Sequence, residues 1–371
     1  MASSPKRRAD PDASAAAAPL LAWFDARQRD DVAWRGERDP YAILVAEVMA
    51  QQTRVEAAAP YHRRFMDRFP DVWTLAEAEE DDVLGLWEGL GYYARARNLR
   101  RAARRVVSEY GGRIPRAVSE LRTLPGVGPY TAGAVASVAF GLPEPAVDGN
   151  ARRVLSRLSD LETASPSELD RAARALIAAV PERPGDVNQA LMDLGSAVCT
   201  PLGPRCGACP LSSRCLALRR GTIGERPPRK RRARSPERAE AAAIVRRGGR
   251  VLVLRRPSDG LLGGLWDFPS VALPAPTPTP PAPALTRVLR EGFGLDCRVG
   301  EEIRVLRHTF SHFHLRLTVH RARWRSGEVT SARQHRWVGC GEFGDLAFPA
   351  YLRRLIDEDV SPRDVSPRNA R

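Results

Sequence analysis

Leu124-Pro125-Gly126-Val127-Gly128-Pro129-Tyr130-Thr131-Ala132 decides how this chain folds. Two glycines separated by one residue precede a run, Ala132 to Phe140, whose apolar side chains recur at helical spacing. A Gly-x-Gly turn between two helical segments bares backbone N–H groups at the start of the second helix. Such a turn cradles a phosphate without reading a base. Alone the turn is a weak signal, but two companions sharpen it. Asp148 follows in Val147-Asp-Gly-Asn-Ala-Arg-Arg-Val154, and about 70 residues past the turn stand Cys199, Cys206, Cys209 and Cys215, spaced C-x6-C-x2-C-x5-C. Four thiols within seventeen residues can converge on one centre, because the short loops leave them no room to separate. A thiolate set of this kind suits a [4Fe–4S] cluster or a structural zinc. A pair of disulfides is the remaining reading, and nothing in the chain suggests export.

The bulk composition narrows the partners. A chain of 371 residues allows two domains, each with its own core. No run approaches the roughly 18 apolar residues of a membrane span, so no membrane partner is expected. The start, MASSPKRRADPDASAAAAP, lacks an apolar core followed by a cleavage site, and reads as a tail rather than a signal peptide. A reducing cytoplasm fits the thiols, with the protein associated with the nucleoid. Cys297 and Cys340 read as small buried apolar side chains. The net charge of +14 implies a polyanion, since each cation that neutralises a phosphate releases a counterion. Only Lys6 and Lys230 are lysines; arginine supplies the rest.

Texture divides the chain. Residues 1–18 read as a tail, 19–220 as helical, 221–238 as a basic, Pro-rich linker, 239–357 as an α+β domain and 358–371 as a second tail. Tyr41 to Phe69 places apolar residues at helical spacing behind the start signal Asp39-Pro40. Trp87 to Tyr110, Ser167 to Val180 and Val187 to Val198 continue the pattern. Ala241–Val245, Val251–Leu254, Ile303–His308, Leu315–His320 and Arg336–Val338 are short β-branched or alternating runs, which predict strands. Leu285 to Glu291 reads as a helix, and 274–283, PAPTPTPPAP, as a loop with no capacity to pack.

Hairpin, aspartate and cysteine spacing, in that order, resemble the endonuclease III superfamily of DNA glycosylases, and that likeness points to iron–sulfur. The superfamily holds two reaction classes. Members that also cut the strand use a hairpin lysine as a Schiff-base nucleophile, and the matching position here is Tyr130. No lysine lies between Lys6 and Lys230, so that chemistry lacks its amine. Water is left to hydrolyse the N-glycosidic bond. That reaction needs an acid to protonate the leaving base and a carboxylate to stabilise the sugar cation. Asp148 is one candidate.

The segments Trp34-Arg35, Asp39-Pro40-Tyr41 and Ala46-Glu-Val-Met-Ala-Gln-Gln-Thr-Arg-Val55 resemble the MutY family of adenine DNA glycosylases. Glu47 sits mid-helix among apolar residues, where an acid is costly unless paired or functional. Burial raises its pKa, which suits a general acid near neutral pH. The resemblance implies that Glu47 protonates N7 of a flipped adenine, that Asp148 stabilises the oxocarbenium-like sugar, and that Tyr130 and Asn150 stand beside them. It implies an adenine pocket of Trp34, Arg35, Val55 and Gln189. It further implies duplex contacts from Gln52, Thr53, Leu90, Tyr92, Gly126 and Gly128, although Tyr92 also fits a core. Ala50 departs from the family's large apolar residue.

In the C-terminal part, Gly260-Leu-Leu-Gly-Gly-Leu-Trp-Asp-Phe-Pro269 resembles the Nudix-like domain of these proteins. A working Nudix hydrolase needs several glutamates on its helix for magnesium, and only Glu291 is present. The likeness makes Phe310, Ser311 and His312 the loop that senses 8-oxoguanine. The resemblance covers residues 19 to about 357. It implies an all-α helix-hairpin-helix glycosylase domain with a [4Fe–4S] lobe, followed by an α+β Nudix-like domain. The expected partner is double-stranded DNA with A:8-oxoguanine or A:G mispairs, bound by a monomer. An endonuclease III-like enzyme that cuts the strand at oxidised pyrimidines and an inert damage binder are the rival readings.

Overall fold

The computed structural model describes residues 15–27, 32–228, 235–274 and 280–360. Its helices are α1 (Ala17–Ala26), α2 (Pro40–Ala50), α3 (Val55–Arg68), α4 (Val72–Glu77), α5 (Glu80–Leu86), α6 (Ala94–Tyr110), α7 (Val118–Leu121), α8 (Pro129–Phe140), α9 (Gly149–Leu158), α10 (Pro166–Ala178), α11 (Pro184–Ala197), α12 (Leu216–Arg219), α13 (Pro281–Phe293) and α14 (Ala350–Leu355). The strands are β1 (Glu237–Arg247), β2 (Arg250–Arg255), β3 (Trp266–Asp267), β4 (Ser270–Leu273), β5 (Asp296–Thr309), β6 (His314–Ser326) and β7 (His335–Val338). Two compact units result. A helical unit holds the described residues up to Glu77 and from Asn98 to 228, and a sheet unit holds Ala78–Arg97 and the described residues from 235 onward.

The helical unit is built by caps and glycines as much as by apolar stripes. Asp39 caps α2, accepting from the Tyr41 and Ala42 N–H groups, with Pro40 in the first turn. The helix is buried nearly all round, from Tyr41 to Met49. The apolar run expected from Tyr41 to Phe69 breaks between Ala50 and Val55, where Gln52 takes a left-handed backbone at φ +56°. The helix Gly149–Leu158 carries no strong propensity at its start. Asp148 makes it, by accepting from the Ala151 N–H. One core joins Leu20, Leu21 and Phe24 of α1 with Leu155 of α9, Ile177 of α10 and Leu191 of α11. Gly195 lets α11 approach α9, since a Cβ there would stand 2.7 Å from Asn150 Cβ.

Three boundaries differ from the composition reading. Ala16 and Ala17 are buried and α1 starts at Ala17, because small side chains pack where charge is absent. Thr222 and Arg226, inside the expected linker, both hold the Asp160 carboxylate, at 2.6 and 2.8 Å. Val360, past the expected domain end, is buried. The centre of the basic linker, 229–234, and most of the Pro-rich loop, 275–279, lie outside the described residues.

The sheet unit carries seven strands in the order β3-β2-β1-β6-β5, with β4 paired to β1 and β7 to β2. β1 and β6 run parallel; the other pairs are antiparallel. Alternation along β1 and β2 feeds two cores. Ala242, Ile244, Val251 and Val253 face a cluster with Leu352 and Leu355 of α14, while Ala241, Ala243, Leu252 and Leu254 face Leu285 and Leu289 of α13. Both faces are therefore covered, which is why the strands read as continuous apolar runs. The segment Ala78–Arg97 belongs to this unit through ion pairs. Arg255 reaches Asp81 at 2.9 Å, and Arg353 reaches Glu88 at 2.5 Å.

Candidate active site

Four elements of the helical unit bring the expected chemistry to one cavity of about 1730 Å³. α2 supplies Glu47, the first turn of α8 supplies Tyr130, the cap and first turn of α9 supply Asp148 and Asn150, and α11 supplies Gln189. Trp34, Arg35, Gln52, Thr53, Val55, Gly126 and Gly128 line the same cavity, as does Ala50.

Tyr130 Oη donates to Glu47 Oε2 at 2.6 Å. The Glu47 side chain is partly open to the cavity but is otherwise surrounded by the buried residues of α2. Burial pushes its pKa up to about 7; the Tyr130 hydrogen bond pulls it down, the nearby Asp148 adds to the rise and Arg35 opposes it. Asp148 is treated differently. It accepts from the Ala151 N–H at 2.6 Å and from Asn150 Nδ2 at 3.0 Å. Burial pushes its pKa up, against those donors. Asn150 Oδ1 in turn accepts from Arg153 Nη2 at 2.8 Å, and the same nitrogen donates to the Gly195 carbonyl at 2.6 Å. A carboxyl poised to hold a proton thus neighbours a carboxylate supplied with donors. That pairing can protonate one part of a substrate while stabilising positive charge on another.

Arg35 forms the far wall. It donates to Gln189 Oε1 and to Asp193 Oδ2, the latter at 2.6 Å, and it stacks over Phe24. Trp34 packs against His62 with ring centroids 5.1 Å apart. Asp193 and Met192 join the site without a motif to announce them, and Arg153 is a further residue of the Val147–Val154 run. Asp193 and Gln189 are four apart on α11 and share a face, which is the one signal the sequence offers for them.

Leu90 and Tyr92 belong to the sheet unit. Leu90 is buried, while Tyr92 is 45% exposed with a left-handed φ of +50°. A non-glycine residue held there carries strain of about 1–3 kcal/mol, a feature that clusters at functional turns. Phe310, Ser311 and His312 join β5 to β6. Phe310 stacks on Phe313 at 4.5 Å, whereas Ser311 and His312 are exposed.

Cys199, Cys206 and Cys209 are partly buried and Cys215 is buried. Burial pushes the Cys209 thiol up to about 11, with the other three cysteines adding to the rise. Arg157 Nη1 donates to Cys199 Sγ at 3.3 Å. Among the described residues, no group of three or more His, Cys, Asp or Glu side chains is arranged to hold a metal ion. None of the described helices is long and apolar enough to cross a membrane.

Residues 45–179 match the model of the HhH-GPD superfamily base excision DNA repair protein, and residues 241–358 that of the NUDIX domain. An adenine DNA glycosylase of Mus musculus is 36% identical over 93% of this chain and 78% of its own length. The chain belongs to the adenine DNA glycosylase family. Within that family, the Homo sapiens relative is 34% identical over 91% of this chain and 72% of its own length. A thermostable thymine-DNA glycosylase of known structure aligns with a TM-score of 0.52 and 28% identity, covering 56% of this chain and 97% of the other. The architecture is thus a helix-hairpin-helix glycosylase domain with a C-terminal Nudix-like domain, as the motifs predict.

Proposed function

We propose that the protein removes adenine mispaired with 8-oxoguanine or guanine in double-stranded DNA, by hydrolysing the N-glycosidic bond and leaving the strand intact. The observation that carries this reading is the Tyr130–Glu47 hydrogen bond beside Asp148 in one cavity, with Glu47 shifted to about 7. At neutral pH about half of such carboxyls hold a proton. Glu47 delivers it to N7 of an adenine flipped into the cavity, which makes the base a neutral leaving group. Asp148 holds its negative charge against the sugar cation that follows. Glu47, now a carboxylate, positions or deprotonates the attacking water. Flipping costs a few kcal/mol and is cheapest at a mispair, which is one source of selectivity. Tyr130 stands where a lyase would need an amine, and no lysine is among the described residues that line the cavity.

Ser311 and His312, exposed beside an anchored Phe310, are the residues that sense 8-oxoguanine opposite the adenine. The four cysteines are the ligands of a [4Fe–4S] cluster. What supports that group is their all-thiol chemistry and tight spacing along the chain, although the four are not gathered into a metal-holding group among the described residues; the cluster would brace the lobe around them and takes no step in the hydrolysis. Visible absorption near 400 nm with bound iron in the purified protein checks the cluster.

The function is tested with a duplex holding adenine opposite 8-oxoguanine. The expected product is free adenine and a strand that breaks only after alkali. Breakage without alkali, or a borohydride-trapped adduct, refutes the monofunctional reading, and no released adenine refutes the function.

A further inference from the structure

The hairpin of β5 and β6 carries an arrangement that stability alone disfavours. Its register sets Arg307 directly opposite Arg316, and both are exposed. Like charges facing each other across an antiparallel pair are destabilising. Three acids nearby are engaged by other arginines, Glu358 and Asp359 by Arg304 and Glu301 by Arg321, and Glu237 on β1 stands in register with His314 rather than with Arg316. Neither Arg307 nor Arg316 is ion-paired among the described residues.

Strand alternation says what this pair is next to. Leu315 and Leu317, with Leu306 and Phe310 against them, face the core shared with α14. Arg307 and Arg316 therefore project from the opposite face. The same face carries the cross-strand pair Thr309 and His314, two residues nearer the turn, where Thr309 Oγ1 and His314 Nδ1 are 3.1 Å apart. Ser311 and His312 follow at the tip. On the adjoining strand β1, Ala239 stands beside Arg316 and Glu237 beside His314, so the arginine pair has a small, neutral neighbour. Two unpaired guanidiniums thus lead a polar stripe that ends on the recognition turn.

We infer that Arg307 and Arg316 form a two-pronged clamp for the sugar–phosphate backbone of the strand whose base the Phe310–His312 turn reads. This rests on the function proposed above. Paired strands lie about 4.8 Å apart, so the two guanidiniums can share one phosphate or hold two successive ones. The phosphate charge offsets the repulsion that the hairpin carries when free. A second facing pair, Arg298 opposite Arg323, lies seven residues further along β6 from Arg316 and on the other face of the sheet. It serves as an internal control for charge in general.

Binding of the full chain to a duplex with a non-hydrolysable adenosine analogue opposite 8-oxoguanine is measured between 50 and 200 mM salt. Removing one phosphate-binding cation lowers the slope of log K against log salt by about 0.9. The Arg307→Ala/Arg316→Ala variant should flatten the slope by about 2, and Arg298→Ala/Arg323→Ala should leave it unchanged. Arg307→Glu gives Arg316 an ion-pair partner, so it should weaken binding while the Tm holds or rises. An unchanged slope in the first variant, equal flattening by both double variants, or affinity and Tm falling together each overturn the clamp. The parent chain releasing adenine from the ordinary duplex separates these failures from failure of the functional reading.

Discussion

Replacing Glu47 with glutamine should stabilise the protein and silence it, and the stability gain should depend on pH in a defined direction. Raising a carboxyl from its ordinary value of 4.5 to about 7 costs the folded anion about 3 kcal/mol at 1.36 kcal/mol per pH unit. Part of the Glu47 side chain faces the open cavity, so solvent screening reduces the effect to roughly half, about 1.5 kcal/mol. The folded form binds the proton more tightly than the unfolded one. The parent therefore has its full stability below about 4.5 and loses it as pH rises through about 7. Glutamine has no anion to bury, and its carbonyl still accepts from Tyr130 Oη. Glu47→Gln should accordingly match the parent in Tm near pH 4.5 and exceed it by roughly 4 °C at pH 8 to 9. Its excision rate should fall by about 10²–10⁴, the worth of general acid catalysis. Calorimetry across pH and single-turnover excision measure the two. A Tm difference that stays flat or grows toward acid pH refutes the buried-acid argument, and unchanged excision removes Glu47 from the proton's path.

Three further outcomes follow from the same geometry. Tyr130→Phe removes a donor that favours the Glu47 anion, so the alkaline limb of the pH profile of kcat/KM should move up by about one unit; a downward move contradicts the assignment. Asp148→Asn keeps a good helix cap, since asparagine caps as well as aspartate. The variant should fold with a Tm within a few degrees of the parent and lose at least about 10² in excision; retained excision would show that the negative charge is dispensable. Gly195→Ala places a Cβ 2.7 Å from Asn150 Cβ. It should lower the Tm, and if α9 is pushed away, excision should fall with KM for the duplex little changed.

Much of this arrangement is legible because local rules and function coincide. Glu47 is conspicuous on an otherwise apolar helix, and Gly126-Val127-Gly128-Pro129 announces the start of α8 through the backbone it demands. Five of the seven strands of the sheet unit are visible in the sequence as cores, with ends extended by pairing: β5 runs from Asp296 although only Ile303–His308 reads as a strand, because β6 supplies partners for its polar start, while β3 and β4, two and four residues long, are too short to show a pattern. Other features rest on pairs that sequence proximity cannot suggest. Arg35 meets Asp193 from 158 positions away, and Arg353 meets Glu88 from 265. The helix at Gly149 is hidden in the sequence for a different reason. Glycine and asparagine in its first turn argue against a helix, and the side chain of Asp148, conspicuous for its chemistry, is also what starts it.

The assignment of Ala78–Arg97 to the sheet unit bears on how the protein can be shortened. A fragment ending at the linker would keep every residue around the cavity, and so would look like a self-sufficient enzyme. It would nevertheless strip Asp81 of Arg255 and Glu88 of Arg353, leaving two carboxylates without their cations next to the stretch that carries Leu90 and Tyr92. Any loss of activity in such a fragment would then report damage to residues it still contains, as well as the absence of those removed.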